Sequence, residues 1–427
     1  MRDNHLMSGK NTMINTFLDI STLDFDIDMS KSSGYRDYIW AIELNRWSLE
    51  LIGLWPKADG ITKKSFGSII RTGFIFIMIT FVLDIPLVHA LVRVWGDMTL
   101  MIDNLRVTLP MLMVLLKFSI MQWKQSVLLS VLNMIREDWI TLKLDSERDV
   151  MVKRVRIARL IITCTYVLVG LTVVIITIFP YFGLSIRRLS NITDRNKPLP
   201  LQSYYFYNTD KSPHFELTYF SQVTAMLLGI IIYMSADTFL IFVIFHICGQ
   251  IENFRCRLVN FVPDKEFNKI LSYHVVTHLR LVRYVNNIED IFTLMMLGSI
   301  IYFGIILCLA VFVLLVMITN EKINATNFTR IYYMIVAIFV LFMQMFFYCY
   351  AGELITEENK AVYHALYDLE WYKWNSKQAR NLIILMIRVQ EPLHITAGRI
   401  VPLTMTTFCN LLKTSAGYVS FLMAIQD

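Results

Sequence analysis

Residues 291–319 read IFTLMMLGSIIYFGIILCLAVFVLLVMIT, a run without a single charged side chain. A helix rises about 1.5 Å per residue, so about twenty apolar residues cross the roughly 30 Å hydrocarbon core of a bilayer. Six further runs are apolar apart from at most one charge: 74–92, 107–123, 160–182, 219–250, 331–352 and 400–426. The sequence therefore predicts an all-α membrane protein with seven transmembrane helices.

The composition agrees with a bilayer as the solvent for most of the chain. Of 427 residues, 56% are hydrophobic and only 17% are charged, and the mean hydropathy is +0.51. A soluble domain of this length needs far less apolar surface. The net charge of +6 is spread over several loops and forms no basic stripe, which argues against nucleic-acid binding. The polar start of the sequence lacks the pattern of a signal peptide, so we expect the first span to direct insertion.

Lysine and arginine are unevenly distributed between the two sides of the predicted bundle. Short cytoplasmic loops are enriched in these residues. The enriched segments are 46–64, 124–156, 255–283 and 360–388. The N-terminus is therefore predicted to be cytoplasmic, and seven spans place the C-terminus outside. Three predicted N-glycosylation sites fall in loops that this topology places outside: Asn191, Asn324 and Asn327. The six cysteines lie in or beside spans, so we expect no disulfide in the outer loops.

Two segments on the cytoplasmic side combine charged residues with apolar residues at helical spacing. Segment 264–290 leads directly into the span that begins at Ile291 and is predicted to extend that span as an amphipathic helix. Segment 353–391 has a similar pattern and ends at Pro392. Neither helix can bury its apolar face alone. We expect the two to pack into an intracellular anchor, either against other subunits or within one chain.

Several short motifs in the last third of the chain resemble those of insect odorant receptors. Residues 380–398 read RNLIILMIRVQEPLHITAG, and they are followed by VPL at 401–403 and LLKTSAGY at 411–418. Residues 278–289, HLRLVRYVNNIE, and the pair Trp371-Tyr372 resemble the same family. The resemblance implies a nonselective cation channel of four subunits that is gated by a small volatile molecule, with the last helix lining the pore and the long inner helices forming the anchor.

The family contains tuning receptors and a shared co-receptor, which is longer because of an insertion between the fourth and fifth spans. The corresponding connection here, 250–289, is compact. The chain therefore resembles a tuning subunit, which implies the co-receptor as partner, the olfactory neuron's plasma membrane as location, and no cofactor. The implied organisation is a cytoplasmic segment 1–65, six helices with an outer-half ligand pocket in 66–352, one anchor helix in 353–395 and a pore helix in 396–427.

The resemblance also implies where the ligand binds: in the outer half of the bundle, between the second, third, fourth and sixth helices. An apolar cavity with a few hydroxyl groups suits a small volatile molecule, because desolvation and dispersion supply most of the binding free energy. At that depth the candidate ligand-binding residues are Thr108, Met111, Leu112, Val167, Gly170, Val174, Thr224, Leu228, Tyr333, Val336 and Ala337.

The end of the last predicted helix contains the candidate pore residues. Met423, Gln426 and Asp427 share one helical face because they are three and four positions apart. Met423 would form an apolar constriction, Gln426 a polar ring and Asp427 a ring of negative charge that attracts cations. The alternative is a frayed helix end at the membrane surface. Lys413 lies further inside the same helix, facing either water in the channel or a neighbouring subunit.

Charged residues within predicted spans are functional candidates, because an isolated charge in hydrocarbon is costly. For Asp84, Lys117 and Asp237, a buried ion pair or a position near the membrane surface is an equally good interpretation. We interpret four phenylalanines of the sixth predicted span as packing residues: Phe339, Phe342, Phe346 and Phe347.

His274 and His278 have the i, i+4 spacing of helical zinc ligands, but no nearby acid or cysteine completes a site. We interpret them as packing residues of the anchor and predict no metal. The spacing of Ser, His and Asp residues suggests no catalytic set, so we predict that the chain is not an enzyme.

Two other functions remain alternatives. A gustatory-receptor relative would share the architecture and work as a homomeric channel. A G-protein-coupled receptor also has seven helices but the opposite orientation, and the sequence lacks the Asn-Pro-x-x-Tyr pattern in its last span.

Overall fold

The computed structural model describes residues 33–56, 66–96, 98–141, 144–178, 199–201, 203–209, 211–260, 266–320 and 325–426. Helices dominate this part of the chain. In order they are α1 (Ser33–Leu51), α2 (Phe66–Ile77), a π-helical segment (Met78–Asp84), α3 (Ile85–Arg93), α4 (Met98–Trp123), α5 (Gln125–Thr141), α6 (Asp145–Ile178), α7 (His214–Val259), α8 (Phe267–Asn320), α9 (Ala325–Tyr367), a 3-10 turn (Trp371–Lys373), α10 (Ser376–Gln390) and α11 (Met405–Gln426). Two short strands, β1 (Thr396–Ala397) and β2 (Val401–Pro402), precede α11.

Five helical segments of the described part are long and apolar enough to cross a membrane: Gly67–Arg93, Leu100–Trp123, His214–Val259, Phe267–Thr319 and Met334–Lys373. The two other predicted spans lie in α6 and α11, which are outside this set of five. Within the predicted span 400–426 the first residues form a strand and a turn, and the helix begins only at Met405. The prediction of an all-helical membrane protein is confirmed.

The first apolar segment is one continuous helical rod with a local change in winding at Pro86. Proline has no N–H, so it cannot donate to the carbonyl four residues earlier. That carbonyl belongs to Val82, and the Tyr205 hydroxyl donates to it over 2.8 Å. The Tyr204 N–H in turn donates to the Pro86 carbonyl over 3.2 Å. The outer segment 203–209 is thereby held against the end of the first rod.

The two long helices α8 and α9 extend well beyond the length of a membrane span. Helix α8 runs without interruption from Phe267 to Asn320, as the amphipathic pattern before Ile291 predicted. The segment expected to form one anchor helix over 353–395 instead contains the end of α9, the 3-10 turn and α10. The turn reverses the chain, so Leu366 of α9 and Leu382 and Val389 of α10 are all buried. A straight helix would leave these apolar faces in water.

The strands β1 and β2 form an antiparallel hairpin that packs on α8. Ala397 pairs with Val401, so the loop has three residues, and Gly398 and Arg399 within it both have positive φ, at 64° and 59°, as in a type I′ turn. The Gly398 N–H donates to the Thr293 carbonyl over 2.9 Å, and the Arg399 N–H donates to the Thr293 hydroxyl over 3.0 Å. A β-carbon on Gly398 would lie 2.8 Å from the Leu297 side chain. The hairpin thus fixes the start of α11 against α8.

Candidate functional site

A buried ion pair joins α4 to α7 in the middle of the bundle. The Lys117 ammonium lies 2.5 Å from Asp237 Oδ1 and 3.4 Å from the centre of the Tyr233 ring. The Lys117 side chain has no solvent exposure, and that of Asp237 is 9% exposed. The charged form of each side chain is therefore stabilised by the other, because neither can reach bulk water.

Gln344 brings α9 into the same cluster. Its Nε2 lies 2.6 Å from the Tyr233 hydroxyl, 3.1 Å from Asp237 Oδ2 and 2.9 Å from the Tyr348 hydroxyl. A carboxamide has two N–H groups, so at most two of these three acceptors can be served at once. Lys117 also lies within 3.4 Å of the Tyr348 hydroxyl. We call these five residues, Lys117, Tyr233, Asp237, Gln344 and Tyr348, the polar core. It ties α4, α7 and α9 together through directional bonds.

The space beside the polar core is almost closed. A cavity of about 10 Å³ lies between α8 and α9, with Ser299 and Tyr302 on one side and Gln344 on the other. This volume is at the lower limit for one water molecule. The cavity beside the polar core therefore has no room for a molecule much larger than water.

The segments 199–201 and 203–209 pack on the first turns of α7. Gln222 of α7 is fully buried and accepts a hydrogen bond from the Leu201 N–H at 3.1 Å. Its Nε2 donates to the Ser203 and Tyr205 hydroxyls over 2.6 and 2.9 Å. The neighbouring Tyr204 ring lies 3.5 Å from the Arg93 guanidinium carbon. The buried Gln222 carboxamide and the contact of Tyr204 with Arg93 of α3 hold these segments in place.

Helix α9 also contacts α11 through aromatic side chains. The Phe342 and Phe408 rings meet edge to face with centroids 4.9 Å apart, and Phe346 lies 5.9 Å from the same ring. Such pairs add attraction beyond their buried area. These contacts confirm the interpretation of Phe342 and Phe346 as packing residues. Because Gln344 lies between these two phenylalanines in the sequence, one turn of α9 joins the polar core to α11.

Comparison with known proteins decides the family. A family model described as 7tm Odorant receptor matches residues 97–416. The chain belongs to this odorant receptor family. Odorant receptor 10 of Aedes albopictus is 27% identical over 224 residues, which cover 51% of this chain and 57% of that protein. Odorant receptor Or2 of Anopheles gambiae is 27% identical over 163 residues, 38% of this chain and 40% of that protein. The chain thus aligns with about half the length of these curated relatives, none of which is described as an enzyme.

Solved structures of an odorant receptor show the same fold. The insect olfactory receptor OR5 from Machilis hrabei superposes with a TM-score of 0.76 over 92% of this chain and 100% of that chain, at 16% identity. The same receptor in complex with eugenol gives a TM-score of 0.75 over 91% of this chain. The arrangement of helices described above is therefore that of insect olfactory receptors.

The structure separates the predicted ligand-binding residues of this odorant receptor into two groups. Thr108 is buried, and Met111, Thr224, Leu228, Val336 and Ala337 are half-buried. Leu112, Val167 and Val174 are exposed, at 38%, 57% and 49%, and a β-carbon on Gly170 would meet nothing within 4 Å. The side chain of Tyr333 lies outside the described residues. The predicted face of α6 therefore points away from the bundle in this chain.

Within the first group, α4 and α7 are in direct contact. The Met111 sulfur lies 3.9 Å from the position of a β-carbon on Gly229, one residue after Leu228. The Thr108 hydroxyl bonds within its own helix, to the Asn104 carbonyl at 3.0 Å and to Asn104 Oδ1 at 2.7 Å. The half-buried candidates on α7 are Thr224 and Leu228, and those on α9 are Val336 and Ala337.

The candidate pore residues lie on α11. Lys413 is exposed and Met423 is half-buried. Gln426 is the last residue of α11, with only its backbone described, and Asp427 lies outside the described residues. Two of the three predicted glycosylation sites, Asn191 and Asn324, also lie outside the described residues. The third, Asn327, falls in the first turn of α9.

The remaining charged and histidine candidates have separate positions. Asp84 is buried, and neither of its carboxylate oxygens has a hydrogen-bond partner within the described part of the chain. His274 and His278 pack against Phe254 with ring centroids 6.0 and 6.2 Å away. Burial, followed by the charge of Arg257, lowers the pKa of His274 to about 4. Both histidines therefore pack against one aromatic ring, and the described residues contain no group of three metal-ligating side chains.

Sequence reasoning missed three members of the polar core: Tyr233, Gln344 and Tyr348. A single glutamine in an apolar run has no periodic signal. The available hint was the spacing of Gln344 and Tyr348, which at i, i+4 share one face of α9. Two polar groups on one face of a membrane helix indicate a polar partner across the interface.

Proposed function

We propose that this odorant receptor is a tuning subunit of a heteromeric, odorant-gated nonselective cation channel in the plasma membrane of olfactory sensory neurons. In this proposal the chain crosses the membrane seven times, with its N-terminus in the cytoplasm and its C-terminus outside. The supporting observation is the double role of α9, which bonds to the polar core through Gln344 and packs on α11 through Phe342 and Phe346. A ligand that moves α9 also moves the helix assigned to the pore.

The proposed ligand is a small volatile molecule bound in the outer half of the bundle, above the polar core. Its contacts come from the inward-facing candidates Met111, Thr224, Leu228, Val336 and Ala337, with Thr108 behind them. On α6, the exposed Val167, Gly170 and Val174 are left out of the proposed contacts. We assign Tyr166 as the contact instead, because it is half-buried and its hydroxyl lies 3.4 Å from the Thr238 hydroxyl on α7. This region is apolar with a few hydroxyls, and burial of the ligand supplies most of the affinity.

Gating in this proposal is a shift between two arrangements of α9. A ligand shifts a conformational equilibrium only by binding one state more tightly than the other. The three acceptors around Gln344 Nε2 offer alternative hydrogen-bond pairs of similar length, so α9 can exchange bonding partners with little loss. The contact of Phe342 and Phe346 with Phe408 passes the movement to α11. Met423 would then widen or narrow an apolar constriction that conducts only when wet.

The proposed partner is the odorant receptor co-receptor. Support comes from the compact connection between α7 and α8, which spans only 260–266, and from the incomplete pore of a single α11. Gln426 and Asp427 would contribute this chain's share of a polar and acidic ring. Because co-receptor subunits supply the rest of the ring, substitutions in this chain are expected to change conductance only in part.

Electrical recording tests the proposal. Cells that express this chain together with the co-receptor should show odorant-evoked cation current, and cells that express this chain alone should show little. In the complex, Met423→Ala should raise the resting current by removing the apolar constriction, and Asp427→Lys should lower cation conductance without moving the odorant's half-maximal concentration. Strong odorant-evoked current from this chain alone would favour the homomeric, gustatory-type channel. No effect of either substitution at normal surface expression would remove this face of α11 from the pore.

A further inference from the structure

A groove of about 350 Å³ lies between α2 and α4 on the surface of the bundle that faces lipid. It is beside the point where α8 enters its apolar run, because Lys124, directly after α4, bonds Asp290 at 2.8–2.9 Å. On the groove's rim, Ile69 and Phe76 are 51% and 42% exposed. The groove therefore opens towards lipid at the level of the anchor-side membrane surface, far from the outer ligand region.

The lining of the groove is unusually polar for a surface that faces lipid. Five polar side chains face the groove and none of them is charged: Ser68, Thr72, Ser119, Gln122 and Gln125. Three of them donate a hydrogen bond within the protein: Thr72 to the Ser68 carbonyl, Ser119 to the Leu115 carbonyl and Gln125 to Gln122 Oε1. The Nε2 of Gln122 is buried without an acceptor within the described residues. An acceptor that enters the groove, such as a carbonyl oxygen, would satisfy this unused donor.

A guanidinium group lies at the edge of the groove. A β-carbon on Gly53 would be 3.1 Å from Arg71 Nε and 3.2 Å from Thr72 Oγ1. The Arg71 guanidinium therefore lies close to the Thr72 hydroxyl that lines the groove. Arg71 is exposed and has no acidic partner in the described part of the chain. An unpaired arginine beside a membrane surface favours a phosphate, which it can bind with two parallel hydrogen bonds.

The floor of the groove is open at Gly73. A β-carbon on this glycine would meet no atom within 4 Å, and the buried Phe118 of α4 lines the groove opposite. The groove thus combines exposed apolar side chains on its rim with an unused donor inside and a cation at its edge. That order matches a phospholipid lying with its phosphate at the surface, its ester carbonyls deeper and its acyl chain along the rim.

We propose that the groove between α2 and α4 binds one phospholipid of the anchor-side leaflet, with its phosphate on Arg71, an ester carbonyl on Gln122 Nε2 and an acyl chain beside Gly73 and Phe76. The bound lipid fixes α2 against α4 near the start of α2. This site is separate from the odorant region and does not depend on what the receptor detects.

Native mass spectrometry of the full-length purified receptor, titrated with phosphatidylglycerol or with diacylglycerol, tests the site. The wild type should bind one phosphatidylglycerol molecule more tightly than any further phosphatidylglycerol molecules. Diacylglycerol should bind this site about tenfold more weakly than phosphatidylglycerol, because it lacks the phosphate. Arg71→Gln and Gln122→Leu should each weaken the phosphatidylglycerol site about tenfold, and Gly73→Leu should fill the slot and abolish the site. Arg71→Lys, which keeps the charge, should fall between wild type and Arg71→Gln.

The matched control is Arg156→Gln, which removes another exposed arginine without an ion pair within the described residues, on α6. It should leave the tight site intact. Equal lipid binding by the wild type and the Arg71, Gln122 and Gly73 variants would mean a general lipid shell only and would overturn the proposal. Equal binding of diacylglycerol and phosphatidylglycerol would overturn the phosphate assignment. An unchanged elution profile in size-exclusion chromatography would show that each variant is folded.

Discussion

The buried pair of Lys117 and Asp237 sets the energetics of the polar core. Lys117→Met leaves the Asp237 carboxylate without a cation at a position with 9% exposure. Removing one partner of a buried pair costs about 3–5 kcal/mol, whereas replacing both by apolar groups costs far less. We expect Lys117→Met to lower the melting temperature of the purified receptor strongly, and the double variant Lys117→Met/Asp237→Leu to recover most of that loss.

The control for this prediction is Lys124→Met. The Lys124–Asp290 pair is partly exposed, at 27% and 37%, and such pairs contribute about 0.2–1 kcal/mol. Lys124→Met should therefore change the melting temperature of the receptor little. If Lys117→Met and Lys124→Met had equal effects, or if the double variant were no better than the single one, the two charges would not be coupled as described.

Residue-level prediction from the sequence succeeded where a charge identified the position. Lys117 and Asp237 were singled out because each interrupts an apolar run, with a buried ion pair and a position near the membrane surface both left open, and the structure joins them as a buried pair. The ligand-facing side of α6 was not predictable in the same way, since no charged residue lies between Arg159 and Val174. With no polar face to mark lipid or protein, the choice of Val167, Gly170 and Val174 depended on the resemblance alone, and these residues are exposed.

At the scale of elements, the contact between α9 and the hairpin is unusually close. A β-carbon on Gly352 would lie 2.3 Å from the Leu403 carbonyl oxygen and 2.8 Å from its β-carbon. Backbone cannot yield as a flexible side chain can, so Gly352→Ala must push the hairpin and the start of α11 away from α9. Overpacking of this kind costs about 1–3 kcal/mol. We expect reduced surface expression and an altered resting current in the complex with the co-receptor.

Gly304→Ala is the matched substitution in α8. A β-carbon there meets nothing within 4 Å, and alanine favours a helix over glycine by up to about 1 kcal/mol. Expression should be unchanged or slightly higher. Comparable losses from both substitutions, measured by surface labelling and whole-cell recording, would show that the close approach at Gly352 is not what matters.

The histidine pair makes the stability of α8 in the anchor depend on pH. Burial and the charge of Arg257 lower the pKa of His274 to about 4, and burial and Arg388 lower that of His278. The unfolded chain, with histidine pKa values near 6.5, binds protons first as the pH falls. The stabilising contribution is therefore complete above about pH 6.5 and is lost as the pH falls towards 4. We expect the melting temperature to drop between about pH 7.5 and 5.

His274→Asn/His278→Asn should flatten this pH dependence, because asparagine does not titrate. The control is His364→Asn, which removes an exposed histidine near the end of α9 and should leave the dependence as it is. An identical pH dependence in the wild type and the double variant would contradict the assignment.

Element boundaries were predicted well where helical periodicity is long, as for the continuous α8, and poorly where the chain turns. The hairpin β1–β2 has two residues per strand, too few for an alternating pattern to be visible. Its turn depends on Arg399 adopting positive φ next to Gly398, which is unusual for a non-glycine residue. The signature at 380–403 was recognised as a motif, yet its geometry became evident only from the docking on Thr293.

For the whole molecule, the topology is a prediction that tags can test. With the N-terminus inside and the C-terminus outside, antibodies on intact cells should reach a C-terminal epitope and fail to reach an N-terminal one. Both should be stained after permeabilisation. The reverse pattern would contradict the orientation from the loop charges and would favour a G-protein-coupled receptor.

The central claim is that an odorant binds among the inward faces of α4, α7 and α9 in this chain. Adjacent leucines on α7 offer a matched test, because Leu228 is half-buried against the core and Leu227 is 41% exposed. In cells with the co-receptor, we would measure the concentration–response curve of an activating odorant for Leu228→Trp and Leu227→Trp at equal surface expression and equal resting current.

Leu228→Trp should fill the ligand region and raise the half-maximal concentration about tenfold or more, since a filled cavity excludes the ligand. Leu228→Ala, which enlarges the region, should shift preference towards a bulkier odorant, and Leu227→Trp should leave the curve unchanged. The result that would contradict the account is a curve for Leu228→Trp that matches the wild type, or a shift of equal size for Leu227→Trp.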